Sequence, residues 1–336
     1  MDALNLENYK KTEIKKLIVI FNQSVANLNN QFIITANSIN KLRINIRVKQ
    51  LYITNLRNKF NVIINNLNSK LNEDTKKINN LIKIRQPDKY ALLIGINYNN
   101  TENQLNGCIN DTNNIKTLLT GTYGFKNINL LTDDTAIIPT KDNIMKELIS
   151  LLSNSISGDI LFILYSGHGT QTTDISGDEI DGLDECIVPI NAVNLNTCIT
   201  DDELNNVFKT YLKPNVKVFC LFDSCFSGTI LDLKYNYTTN NELIISKDVD
   251  FDKQLIVISG CSDTQTSSDA FINDTYTGAM TYSFLNSISP NIMLSDLIIK
   301  MREVLITNNF TQIPQLSVGF NSNITTLNLT HFINDV

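Results

Sequence analysis

"LFILYSGHGTQ", residues 161–171, drives an apolar, strand-like run straight into a small-residue turn that presents His168. "LFDSCFSGT", residues 221–229, does the same with Cys225, following strand-like residues with an acid, a hydroxyl and a thiol before turning on Gly228. Both runs are nearly continuous in apolar residues, as strands buried on both faces are. "KYALLIGIN", from residue 89, has the same character. Between such runs the apolar spacing turns helical. Helices are expected over 107–120, 140–155, 200–212, 278–288 and 294–307. Strands are expected over 127–132, 159–165, 216–222, 254–259 and 314–318. This alternation predicts an α/β fold with a mostly parallel sheet sandwiched by helices. In such sheets function gathers at the carboxyl ends of the strands. His168 and Cys225 both follow strands directly, so both are expected at one sheet edge.

The chain has 336 residues, with 42% hydrophobic and 18% charged, which suits a globular protein. It contains no apolar run of about 18 residues, so no membrane span is expected. Its start lacks the basic, apolar, small-residue order of a signal peptide. Its six cysteines include no CxxC pair, and two histidines are too few for a zinc site. Reduced thiols in a cytoplasmic setting are the expectation. The net charge of −6 hides an asymmetry: residues 1–89 carry +10 and the remainder −16.

Residues 1–86 contain neither Gly nor Pro. Apolar residues recur there at helical spacing, among them Ile14, Leu17, Phe21, Val25 and Leu28, then Leu56, Phe60, Ile63, Leu67 and Leu71. A helical N-terminal extension over 1–86 is expected, as a hairpin or coiled coil, followed by a second domain over 87–336. "RQPDK", 85–89, reads as a helix stop and linker. The positive charge of the extension suits nucleic acid or anionic lipid. Its cations are dispersed along the sequence, however, so a solvated face, or docking of the helices on the acidic remainder, is the preferred expectation. No aromatic-basic interleaving supports nucleic-acid binding.

A thiol near neutral pH is mostly protonated and needs a base. His168 is suited to accept that proton and deliver it to a leaving amine. Gly169 permits close backbone approach, and the N–H groups of Gly169 and Cys225 are candidates for an oxyanion hole.

These motifs carry a resemblance. "YSGHGTQ", "GDEIDGLDECIVPI", "ITDDEL" and "DSCFSGT", with "LNGCINDTNNI" at 105–115, "ISGCSDTQTSSDA" at 258–270 and "PQLSVG" at 314–319, resemble a metacaspase, a member of the caspase-like cysteine peptidase clan. The resemblance covers about residues 89–320 and is of the type I kind in its catalytic part, with an atypical helical N-terminal region. It implies a caspase-like fold and a cysteine endopeptidase with a His168–Cys225 dyad that cleaves peptides after Arg or Lys. It places the pocket for the basic side chain at Cys108, Asp111, Ser166 and Asp223. Carboxylates there suit a buried cation. The resemblance also implies calcium, with ligands at Asp184, Asp201, Asp202 and Asp232. The acidic stretch 174–185 is not an EF-hand, and a calcium cage accepts irregular oxygen donors. Phe226 stands where many relatives have His.

The stretch 233–253 reads as a polar loop joining the two halves of the domain. Self-cleavage is expected at Lys234, Lys247 or Lys253, or before the domain at Lys83 or Arg85. A non-enzymatic alternative has the helices oligomerise the chain or bind partners, with the caspase-like domain as a scaffold; retention of the whole dyad and pocket opposes it.

Overall fold

The computed structural model describes residues 3–80, 86–174, 182–225, 230–238, 240–246, 252–260, 269–272 and 275–334, with the backbone alone for 3–9, 80 and 269. The chain divides into two units, Met1–Gln86 and Pro87–Val336.

Without a breaker, the first unit forms α1 (Ala3–Lys41) and α2 (Ile46–Asn80). The Asn45 side chain accepts from the Arg47 N–H at 2.8 Å and so starts the second helix. The helices run antiparallel. Phe32 meets Phe60 edge-on at 5.6 Å, and the ammonium of Lys10 donates to the Asn79 carbonyl at 3.2 Å. Every side chain from 10 to 79 is half-buried or exposed.

The second unit begins with β1 (Lys89–Gly95), α3 (Cys108–Gly121), β2 (Asn127–Thr132), α4 (Lys141–Asn154) and β3 (Ile160–Ser166). A small sheet follows, made of β4 (Gly169–Thr173), β5 (Leu183–Ile187) and β6 (Ile199–Thr200). Next come α5 (Asp201–Tyr211), β7 (Lys217–Asp223), β8 (Tyr235–Tyr237), β9 (Leu243–Ile245) and β10 (Leu255–Ser259). The hairpin of β11 (Asp269–Ile272) and β12 (Thr275–Gly278) leads into α6 (Ala279–Ser287) and α7 (Leu294–Thr307). The chain closes with β13 (Gln315–Val318) and α8 (Leu329–Asn334).

The main sheet has the order β2-β1-β3-β7-β10-β13-β8-β9. The pairs from β2 to β10 are parallel, and those from β10 to β9 antiparallel. Alternate strand residues serve two cores. Leu93, Phe162, Leu164, Phe219 and Leu221 pack towards α3, α6 and α7, while Leu92, Leu161, Ile163 and Val218 pack towards α4 and α5. That double burial explains why these strands read as unbroken apolar runs.

The crossover from β1 goes to β2 on one side, and the next returns to β3 on the other. The topological switch point therefore lies between β1 and β3, where α/β sheets open a crevice. Gly95 lets α3 start close to that crevice, because a Cβ there would collide with the Cys108 carbonyl oxygen and lie 2.6 Å from Thr112 Cγ2.

The stretch 233–253 departs from the expected joining loop. It contributes β8 and β9 to the sheet edge, with Asn241 taking a left-handed φ of 62° at the hairpin bend. The short "YNY" and "LII" runs are brief enough to hide in a polar context.

Gly95→Ala should cost about 1–3 kcal/mol through overpacking of α3 against β1. Denaturant unfolding checks it.

Candidate active site

The parallel register of β3 on β7 sets Ser166 opposite Asp223. Two residues beyond each come His168 and Cys225, so the two turns leave the sheet side by side. Gly167 N–H donates to the Asp223 carbonyl at 3.2 Å. A Cβ on Gly169 would collide with the Cys225 carbonyl oxygen, so glycine is needed there for close approach between the two backbones. Cys225 is partly exposed.

His168 is held from several directions. Its N–H donates to the Tyr98 hydroxyl at 2.9 Å, and its carbonyl accepts from the Tyr165 hydroxyl at 2.7 Å and from Val188 N–H at 3.1 Å. The Tyr98 and His168 ring centroids lie 4.6 Å apart. Nε2 is 2.6 Å from the Asn103 carbonyl oxygen. A carbonyl can only accept, so Nε2 carries the hydrogen and Nδ1 keeps the lone pair of the neutral ring. Tyr98 itself sits at a left-handed φ of 53°, unusual for a bulky side chain. Its hydroxyl donates to the Val188 carbonyl at 2.7 Å, tying the β1 end to the residue after β5. A cavity of about 480 Å³ opens beside His168, lined on its apolar side by Val188, Val193 and Leu195.

Beneath the turns lies a pair of buried carboxylates. Asp111 is fully buried on α3 and Asp223 nearly so at the end of β7. Asp111 accepts from the Ser166 hydroxyl at 2.7 Å, the Thr277 hydroxyl at 2.6 Å and the Gly278 N–H at 3.0 Å, all neutral donors. Asp223 accepts from Thr281 N–H at 2.7 Å. A Cβ on Gly278 would collide with Asp223 Oδ2 and lie 2.8 Å from Asp111 Oδ2, so both carboxylates converge on this glycine. Burial, and then the nearby Asp223 charge, push the Asp111 carboxyl well above the usual carboxylate range. Cys108 is buried at the start of the same helix.

The four aspartates expected to hold calcium fall around the small sheet. Asp184 lies on β5 opposite Thr172 of β4, and Asp201 and Asp202 open α5 behind the Thr200 cap. Asp232 stands at a left-handed φ of 44°. Asp201 is buried and accepts from the backbone N–H groups of Glu185 and Asp202 at 2.9 and 2.8 Å. Burial, a hydrogen bond with the Glu185 side chain and the charge of Asp232 push its carboxyl up to about 9. Among the described residues no group of three or more His, Cys, Asp or Glu side chains is arranged to hold a metal ion. The raised carboxyl of Asp201, beside the Glu185 side chain and the charge of Asp232, is the one observation here that a bound cation would relieve.

Of the lysines expected at cleavage points, Lys253 donates its ammonium to the Leu212 carbonyl at 2.9 Å and its N–H to the Gly319 carbonyl at 3.0 Å. The Lys234 carbonyl accepts from Ser246 N–H at 2.9 Å. Cutting at either would require local opening first. Lys83, Arg85, Lys247 and Phe226 lie outside the described residues.

Sequence reading missed Tyr98, Asn103, Tyr165, Thr277, Gly278, Thr281 and Glu185. Only "DTYTGAMT", 274–281, offered a signal, a small-residue turn running into a helix.

A thiol and an imidazole on adjacent strand ends, above buried carboxylates, define a cysteine-peptidase type of site on an α/β fold. Residues 89–234 match the family model "Metacaspase, peptidase C14 domain". Metacaspase-1 of Schizosaccharomyces pombe is 36% identical over 288 residues, covering 69% of this chain and 67% of that protein. Metacaspase-1A of Aspergillus oryzae is 37% identical over 281 residues, covering 68% and 67%. A solved protein of Geobacter sulfurreducens shares the fold at a TM-score of 0.52 and 23% identity, covering 72% of this chain and 97% of that one. The chain belongs to the metacaspase family of cysteine peptidases, spanning about two thirds of the length of these curated relatives, and its fold is caspase-like.

Two outcomes follow from this geometry. Tyr98→Phe leaves the His168 N–H without its acceptor and the Val188 carbonyl with only the Tyr165 hydroxyl at 3.2 Å, and should cost about 1–3 kcal/mol in denaturant unfolding. Asp111 has a raised pKa in the folded state, so the fold binds a proton that the unfolded chain releases. Stability is therefore full below the ordinary carboxylate range and is lost as pH rises towards the raised pKa, by about 1.4 kcal/mol per pH unit at most. Asp111→Asn should remove that slope, which thermal melts of both proteins across pH will read.

Proposed function

We propose that this chain is a calcium-dependent cysteine endopeptidase that cleaves after Arg or Lys. The observation that carries the specificity is the convergence of Asp111 and Asp223 on Gly278, with Asp111 bonded among the described residues to neutral donors. Two carboxylates buried at one point are costly to ionise together, and a cation relieves that cost. A guanidinium or ammonium side chain at P1 supplies one, and Arg can take both carboxylates through its fork of N–H groups. An acidic P1 would set a further carboxylate against this pair.

The chemistry follows from the tautomer. Asn103 holds Nε2–H, so Nδ1 of His168 is the lone pair able to take the Cys225 proton. The thiolate attacks the scissile carbonyl carbon, and the N–H groups of Gly169 and Cys225 receive the developing oxyanion. His168 then returns the proton to the leaving amine. A water, deprotonated by the same nitrogen, hydrolyses the thioester and frees Cys225. Because His168 must reach the leaving nitrogen, the cavity lined by Val188, Val193 and Leu195 is placed to receive residues after the cut.

Calcium, when bound, would supply positive charge and oxygen coordination to Asp184, Asp201, Asp202 and Asp232. These residues are linked to the dyad by a short path. β5 carries Asp184 and pairs with β4, which starts at Gly169, and the Val188 N–H just past β5 donates to the His168 carbonyl. Settling the small sheet thus settles the His168 backbone, a population shift towards the competent arrangement. Self-processing fits the same specificity. The anchoring of Lys234 and Lys253 favours Lys83, Arg85 or Lys247 as cut sites. Docking of the basic helices on the acidic unit would hold a full-length chain back.

The test is hydrolysis of paired fluorogenic peptides ending in Arg or Asp, with calcium or chelator, beside Cys225→Ala and Asp201→Asn. Cleavage after Arg alone, dependent on calcium and Cys225 and weakened by at least about tenfold in Asp201→Asn, is expected. Equal turnover in chelator sinks the calcium part, and equal turnover of the Asp peptide sinks the pocket. Fragment-end sequencing from the same incubations reads self-processing: ends after Lys or Arg that Cys225→Ala lacks are expected.

A further inference from the structure

The bend of the helical hairpin carries a feature that peptidase chemistry does not use. "KLRINIRVKQLY", residues 41–52, interleaves Lys41, Arg43, Arg47 and Lys49 with Leu42, Ile44, Ile46, Val48, Leu51 and Tyr52. Every one of these residues except Lys49 is exposed, with Ile46 at 70%, Leu51 at 61% and Tyr52 at 57%. Four of the cations that look dispersed along the N-terminal sequence thus stand on the same bend as six exposed apolar residues. No acid occurs between residues 14 and 72, a span that holds nine Lys and Arg. Nothing within the hairpin offsets this charge near its bend.

We propose that the hairpin tip, residues 41–52, is a docking surface for an anionic lipid bilayer. The cations would meet acidic headgroups, and the aliphatic side chains would enter the boundary between headgroups and acyl chains. Tyr52, with an apolar ring and a polar end, suits that boundary. This is a surface contact and not a span: among the described residues no helix is long and apolar enough to cross a membrane.

Charge and exposed chemistry decide the occupant. Nucleic acid would use the cations, but five of the six exposed apolar side chains are aliphatic and give a base nothing to stack on. A second copy would cover the aliphatics, but two tips together would bring like cations face to face without an acid to separate them. A bilayer with acidic headgroups satisfies both parts of the surface at once. The inference is independent of the peptidase reading, because it rests on the first unit alone.

The test is co-sedimentation of the full-length chain with vesicles at physiological salt. One set is phosphatidylcholine with about a third phosphatidylserine, and the other is phosphatidylcholine alone. Retention on the acidic vesicles at least about tenfold above the neutral ones is expected. Arg43→Gln with Arg47→Gln should weaken it by about 30-fold, from about a factor of five per cation. Ile46→Gln with Leu51→Gln keeps every charge and a good helix former, and should weaken it by about tenfold or more. Far-ultraviolet circular dichroism confirms that the helices persist in each variant. No retention on acidic vesicles overturns the proposal. So does full retention by the Ile46 and Leu51 variant, which would make the contact purely one of charge. Binding to duplex DNA as tight as to acidic vesicles would assign the tip to nucleic acid instead. A concentration-dependent dimer that the Ile46 and Leu51 variant abolishes, without vesicle binding, would assign it to a second copy.

Discussion

The candidate active site depends on the register of β3 on β7. Ser166 opposite Asp223 puts His168 and Cys225 at matching positions, and Gly95 opposite Ser166 extends the same row to β1. A slip of one residue would turn every side chain of β3 to the other face and carry His168 away from the thiol. Double burial prevents the slip, since Leu161 and Phe162 serve different cores and cannot exchange places without loss. The same row explains how Asp111 comes to share Gly278 with Asp223. α3 starts from the end of β1, and Ser166 bonds its carboxylate across the switch point.

Two clusters of acids work against the fold that holds them. Asp111 lies buried with Asp223, and Asp201 lies buried with Glu185 beside the half-buried Asp232; burial and these neighbours make Asp111 and Asp201 costly to ionise. A structure built for stability alone would replace them with apolar groups of similar size. On the proposed function, a cation would relieve each cluster, a substrate side chain at one and a metal at the other. The two clusters also differ in how they are prepared. Asp111 is bonded to Ser166, Thr277 and Gly278 before anything binds, while the carboxylates near the small sheet are brought near one another without forming a cage. A preorganised pocket gives selectivity, and a loose cluster gives a site whose binding changes structure.

The parallel strands were legible in the sequence because two-sided burial leaves no polar residue to blur them, and α7 falls where its apolar spacing puts it. His168 and Cys225 were legible as strand-end residues for the same reason. What stayed hidden is made by pairing. β4, "GTQTT", has no apolar signature and exists because Gly169–Thr173 is laid against β5. The β8–β9 hairpin reads as polar loop for a like reason. Tyr98, Thr277 and Gly278 are recruited from far along the chain, and no local pattern marks a hydroxyl that will meet His168 or a glycine that will meet two aspartates. Glu185 was passed over because it stands beside Asp184 in an acid-rich stretch, where composition cannot say which carboxylate turns inward.

The helical unit poses the opposite problem: its secondary structure is evident and its tertiary purpose is not. Two helices side by side bury one stripe each, and among residues 10–79 that stripe hides no side chain completely. Helix stability in proteins comes mainly from packing of an apolar face, and the many Asn and β-branched residues of this unit contribute little intrinsic propensity. A hairpin of this composition gains from any surface that takes its exposed aliphatics out of water. The distribution of charge then limits which surface that is. With cations and no acids from 14 to 72, the partner must be negative, and with Ile46 and Leu51 among the exposed residues it must also accept apolar side chains.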